Sequence, residues 1–114
     1  MEDCIFCKII KGDIPSKKIY EDDKVLAFLD INPVTPVHFL VIPKEHIANI
    51  NDINESNAEI ISYIFMTIKK LAKEQGIDES GYRVITNTGS DAGQTVYHMH
   101  FHVIGKQNLG EKLI

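Results

Sequence analysis

The sequence predicts an α+β fold: an antiparallel meander sheet with one long helix on a face and a short helix at the N-terminus. Three observations point there. Short runs rich in β-branched and aromatic residues are parted by Gly, Pro and Asp turns. One stretch, Ser56 to Gln75, instead carries its apolar side chains at helical spacing. The chain has 114 residues, 44% hydrophobic and 25% charged, which suits one modest core, so a single domain over residues 1–114 is expected.

The elements follow in order. Residues 3–11 can form a short helix stopped by Gly12, after which Ile14-Pro15 forces an extended path. Lys18–Tyr20 and Val25–Ile31 read as strands joined by the polar turn Glu21-Asp22-Asp23. Pro33 and Pro36 break the chain before a third strand, His38–Ile42, which Pro43 ends. The long helix has Ser56 and Glu59 placed as a capping box and Gly76 as its stop. Its stripe is Ile61, Ile64, Phe65, Ile68, Leu71 and Ala72. Two more strands, Tyr82–Asn87 and Val96–Ile104, flank the polar loop 88–95.

Composition narrows the function. A net charge of −4 gives no footprint for gripping nucleic acid. No apolar run is long enough to span a bilayer, and the acidic start is unlike a signal peptide, so no membrane partner and a cytoplasmic location are expected. Cys4 and Cys7 are too close to staple a loop, and in a reducing compartment they suggest a metal or redox pair.

The segment His98-Met99-His100-Phe101-His102 carries the strongest chemical signal. On a strand, its alternation puts three imidazoles on one face and the apolar residues on the other. Imidazole titrates near neutrality and serves as acid, base, nucleophile or metal ligand. A solvated face that merely happens to hold histidines explains this poorly, because His is neither a favoured strand former nor a usual solvating residue. Spacing alone leaves phosphoryl chemistry and a metal centre both open, since His-x-His can also place two imidazoles on one zinc.

The same segment, continued by Val103-Ile104, resembles the H-φ-H-φ-H-φ-φ signature of the histidine triad (HIT) family. Its surroundings are similar to the Hint branch: Glu21-Asp22-Asp23 with Leu26-Ala27-Phe28, then His38-Phe39-Leu40-Val41-Ile42-Pro43-Lys44 with His46-Ile47. Gly81-Tyr82-Arg83-Val84, Asn87, Gly93-Gln94 and Val96-Tyr97-His98 extend the likeness over about residues 4 to 105.

The resemblance implies a HIT-like fold that dimerises into a continuous sheet, and a nucleotide hydrolase or nucleotidyl transferase. Purine nucleoside phosphoramidates or related nucleotide conjugates are its implied substrates. His100 would attack the α-phosphorus and form a nucleotidyl-histidine, with its far nitrogen protonated and held by a carbonyl near His98. His102 and the backbone of Gly93–Val96 would contact the phosphate, Thr95 would serve the leaving group, and His38 would support the triad. Gln94 and Asn87 would add polar contacts. Ile5, Phe6, Ile9, Phe28 and Ile31 would enclose the base, and Asp30 would accept from the ribose hydroxyls. Bacterial-type members imply one structural zinc per chain on Cys4, Cys7, His46 and His98. A different class of reading is a nucleotide-binding adaptor with vestigial hydrolytic activity.

Overall fold

The computed structural model describes residues 3–114; Met1 and Glu2, which the expected 1–114 domain includes, lie outside the described residues. The elements are α1 (Ile5–Lys11), β1 (Lys18–Glu21), β2 (Val25–Leu29), β3 (Val37–Pro43), α2 (Glu59–Glu74), β4 (Tyr82–Ile85) and β5 (Phe101–Gly105). All strand pairs are antiparallel and form one sheet in the order β1-β2-β3-β5-β4. The first three strands follow one another as a meander. The last two are interchanged: α2 carries the chain from β3 to the sheet edge, and β5 returns to lie beside β3.

Period-two alternation divides the apolar residues between the two faces. Val25 and Ala27 of β2, Phe39 and Val41 of β3, and Phe101 and Val103 of β5 pack with Ile64, Ile68, Leu71 and Ala72 of α2. The alternate residues Leu26, Phe28, Leu40 and Ile42 pack with Phe6 and Ile9 of α1. Both faces are therefore covered, and the short helix roofs the side on which His38, Leu40 and His102 lie. Leu40 and His102 face each other across the β3–β5 pair.

The structure departs from the sequence reading in several places: the strand expected over Val25–Ile31 ends at Leu29, and that expected over Tyr82–Asn87 ends at Ile85. The Ser56–Glu59 capping box does not form, because Asn54 captures the local donors instead. Its Oδ1 accepts from Ser56 Oγ (2.6 Å), Ser56 N (2.9 Å) and Asn57 N (3.2 Å), and α2 starts only at Glu59 with no side-chain cap. Phe65, one member of the apolar stripe, is 47% exposed. The strand expected over Val96–Ile104 begins only at Phe101, since the residues before it leave β4 to meet the segment around Ile47. Met99 N donates to Ile47 O there.

The β1–β2 turn is tied to α2 through Asp22. Its carboxylate accepts from the hydroxyls of Tyr20 (2.7 Å) and Tyr63 and from the amides of Lys24 and Val25. Burial alone would raise this carboxyl, but the four donors outweigh it and hold it well below the usual carboxylate range. A depressed folded value means that the stabilisation is complete above about pH 4 and is lost as pH falls towards the folded value. Asp22→Asn is expected to be less stable at pH 7. Its thermal midpoint should also decline less steeply than the wild type's on acidification below about pH 4. Equal acid slopes in a pH series of thermal melts would count against the clamp.

No helix among the described residues is long and apolar enough to cross a membrane.

Candidate active site and metal centre

The triad sits where the chain turns from the 88–97 loop into β5. Alternation persists through this stretch although only His102 lies in the ladder. Met99, Phe101 and Val103 point into the α2-side core, and His98, His100 and His102 point to the α1 side. The histidines are not a solvated face. His98 is fully buried, His100 is 9% exposed, and Phe6 of α1 packs edge-on against both rings.

Each ring has its own hydrogen-bond partner. His98 Nε2 lies 2.8 Å from the carbonyl of Pro43, so it donates and leaves Nδ1 with a lone pair. His100 is reversed: its Nδ1 lies 2.8 Å from the carbonyl of His98, so Nδ1 carries the proton and Nε2 keeps the lone pair. His38 Nδ1 accepts from Val34 N (3.1 Å), which puts its proton on Nε2, 3.0 Å from His102 Nδ1. Burial lowers all four rings below the ordinary histidine value, His98 and His102 to about 4, so the neutral forms prevail at neutral pH.

A cavity of about 400 Å³ opens against His100 and His102. Of the residues expected there, Ile5, Phe6, Ile9, Phe28, Asp30, Ile31, Asn87, Gly93, Thr95 and Val96 line it. Phe6 and Phe28 meet edge to face at 5.6 Å, and Ile31 stands at the rim, 90% exposed. Sequence reasoning missed Ile14, Pro15, Ser16, Leu29, Asn32 and Leu40, which line it too. Leu40 was legible from the parity of β3, whereas Ser16 carries no signal in sequence. Also missed was Thr86, whose hydroxyl donates to the carbonyl of His100 and steadies the segment.

Gln94 is placed differently from the expected polar contact. It is 5% exposed and does not line the cavity. Its Oε1 accepts from Gly89 N and Asn49 Nδ2, and its Nε2 donates to the carbonyls of Ala48 and Val96. The amide pins the 89–96 loop to the segment after β3, and Gly93 (φ 82°) supplies the left-handed turn that this path needs. Gln94→Leu leaves these buried groups unpaired and is expected to cost about 2–3 kcal/mol. Urea denaturation measures this, and an unchanged midpoint would refute the pinning role.

Cys4 caps α1 by accepting from Cys7 N (3.1 Å), and one helical turn sets both sulfurs on the same side. The Met99–Ile47 bond brings His46 and His98 to meet them. Cys7 Sγ lies 3.3 Å from His46 Nδ1 and 3.5 Å from His98 Nδ1, and Cys4 Sγ lies 3.3 Å from His98 Nδ1. The four ligand atoms lie within 4.8 Å of one another and could hold a metal ion. Burial, with Cys4 beside it, pushes the Cys7 thiol up to about 11. Asp30, His38 and His102 form a second cluster of potential ligands.

Known proteins are similar to this chain in sequence and in fold. The HIT domain family profile matches residues 11–109. The chain is 43% identical to the purine nucleoside phosphoramidase of Escherichia coli K12 over 112 residues, 98% of this chain and 94% of that one. Its fold is similar to that of a HIT family hydrolase from Clostridium thermocellum, with TM-score 0.98, 54% identity, and 100% and 99% of the two chains covered. A histidine triad protein from Clostridium difficile is similar at TM-score 0.94 and 52% identity, over 98% and 97%. With a profile spanning most of its length and relatives this close, the chain belongs to the HIT domain family.

Proposed function

We propose that this protein is a nucleotide hydrolase or nucleotidyl transferase acting on purine nucleoside phosphoramidates or related nucleotide conjugates, through a covalent intermediate on His100. One observation carries the reading: the His100 Nδ1–H donates to the carbonyl of His98, so a neutral Nε2 lone pair stands at the cavity. A neutral nitrogen nucleophile is what attack on a phosphoester requires. Nε2 forms a bond to the α-phosphorus as the bond to the leaving group breaks. Water then displaces His100 and releases the nucleoside monophosphate.

The other residues take roles that suit their positions. His102, with Nδ1 engaged by His38, keeps a proton on Nε2 for a phosphoryl oxygen. Thr95 and Asn87 stand beside the same centre, and Thr95 supplies a hydroxyl for the leaving group. Phe6, Phe28, Ile5 and Ile9 form an apolar sandwich for the base, with Asp30 as acceptor for the ribose hydroxyls. The name of the E. coli relative, a purine nucleoside phosphoramidase, supports the substrate class. Brief exposure to adenosine 5′-phosphoramidate followed by mass spectrometry should find adenylate on His100. Adduct on another residue, or efficient turnover with none trapped at any time, would overturn the covalent mechanism.

Cys4, Cys7, His46 and His98 fit a structural zinc. Tetrahedral zinc with Zn–S near 2.3 Å and Zn–N near 2.0–2.1 Å separates S and N ligands by about 3.5 Å, close to the 3.3–3.5 Å of three of the sulfur–nitrogen pairs here. The Pro43 carbonyl fixes the tautomer that leaves His98 Nδ1 to coordinate. With four protein ligands the ion would have no open position, and it would tie α1 to the sheet rather than act on substrate.

The homodimer implied by the resemblance would use the exposed Phe65 and Met66 of α2 and the edge strand β4. Sedimentation equilibrium is expected to give twice the 12.9 kDa chain mass. A monomer at micromolar concentration would refute it.

A further inference from the structure

Asp30 stands at a junction that ribose recognition alone does not explain. Its Oδ1 accepts from Asn32 N at 2.8 Å, which fixes the carboxylate's orientation. Its Oδ2 lies 3.3 Å from His38 Nε2 and 3.9 Å from His102 Nδ1. The two nitrogens are 3.0 Å apart, so three polar atoms form a small triangle around one hydrogen.

That hydrogen is assigned by its neighbours. Val34 N donates to His38 Nδ1, which occupies that lone pair and places the proton of the neutral ring on Nε2. The arrangement also argues against a two-histidine, one-carboxylate metal site here, since a ligating Nε2 would have to give up that proton and turn Nδ1 into a second donor facing the Val34 amide. The single Nε2–H is hydrogen-bonded to His102 Nδ1, and the carboxylate oxygen 3.3 Å from the same nitrogen is the competing acceptor beside it. Only when it goes to His102 is that ring held with its own proton on Nε2, where it can donate to a phosphoryl oxygen.

We propose that Asp30 couples sugar recognition to the phosphate-facing histidine: a ribose hydroxyl pair, by donating to the carboxylate, withdraws it from competition for the His38 Nε2–H and secures the donor tautomer of His102. This rests on the reading of the cavity as a nucleotide site. Asp30 is here a positioning residue as well as a binding one. Loss of the 2′-hydroxyl therefore slows the chemical step as well as weakening binding.

Two measurements test it. In nucleotide-free protein labelled with ¹⁵N-histidine, Asp30→Ala should move the His102 Nδ1 resonance towards that of a stronger acceptor. Unchanged His98 and His46 signals would show that the variant is folded, and Asp30→Asn serves if it is not. An unmoved His102 signal overturns the coupling. In the second measurement, adenosine and 2′-deoxyadenosine 5′-phosphoramidates are compared in single turnover. The deoxy substrate is expected to react about tenfold more slowly at saturation in the wild type, the worth of roughly one hydrogen bond. In Asp30→Ala the two should react at equal rates. A defect confined to KM overturns the coupling and leaves the nucleotide reading standing, whereas failure of both compounds to bind sinks that reading instead.

Discussion

His100→Ala is expected to abolish turnover of adenosine 5′-phosphoramidate, by roughly 10⁴-fold or more, with nucleotide binding largely retained. The magnitude follows from the role. His100 would supply the bonding lone pair, whereas its ring contributes only part of the cavity wall, shared with Phe6, Phe28 and Val96. Nothing nearby can take over. His98 presents its lone pair to the thiols, and His102 presents an N–H where a nucleophile would need a lone pair. His102→Ala should therefore cost far less, on the order of 10- to 100-fold, because it removes one hydrogen bond and leaves the covalent route intact. Rapid-quench kinetics with the two variants gives both numbers. A substrate chiral at phosphorus gives an independent check, since two in-line displacements restore the configuration and a single attack by water inverts it. Full activity in His100→Ala, or net inversion in the wild type, would remove the mechanism.

Loss of the proposed zinc should have the second largest effect. The four thiol and imidazole groups come from α1 and its cap, from the segment after β3 and from the entry to β5, so an ion held by them would cross-link three parts of the chain. The stabilisation lost is the cross-link itself, about 3 kcal/mol or more, which lowers the melting midpoint by at least about 10 °C in a domain of this size. Because α1 carries Phe6 and Ile9 over the cavity, nucleotide affinity should fall as well. Zinc analysis of protein purified without chelator, with calorimetry before and after chelation and reloading, tests both parts. Cys4→Ser should reproduce the chelated state. Substoichiometric zinc in the wild type, or an unchanged midpoint after chelation, would exclude a structural ion.

Most elements could be read from local chemistry. The C-terminal end of α2 was set by Gly76, which adopts φ 75°, and alternation correctly put Met99 and Phe101 on the core side of the triad segment. The start of α2 was misread because Ser56 and Asn54 are both good capping residues, and only the folded loop decides which one captures the donors. The strand order could not be read either, since β4 and β5 have similar patterns and pairing is a contact between distant segments. The family resemblance implied a polar contact from Gln94. Its amide is instead satisfied by the carbonyls and amides of the loop it fastens.

By itself the sequence determined that three imidazoles would share one side of a chain segment, because Met99, Phe101 and Val103 had to enter the core. It left those imidazoles chemically equivalent. Tertiary structure made them different, through the partner it set against one nitrogen of each ring. The Pro43 carbonyl turns the His98 lone pair to the cysteines, the His98 carbonyl frees Nε2 of His100, and His38 engages Nδ1 of His102. A neutral imidazole has one proton and one lone pair, so fixing one nitrogen fixes the other. Those partners lie on β3 and on the triad segment's own backbone, and only folding brings them within reach.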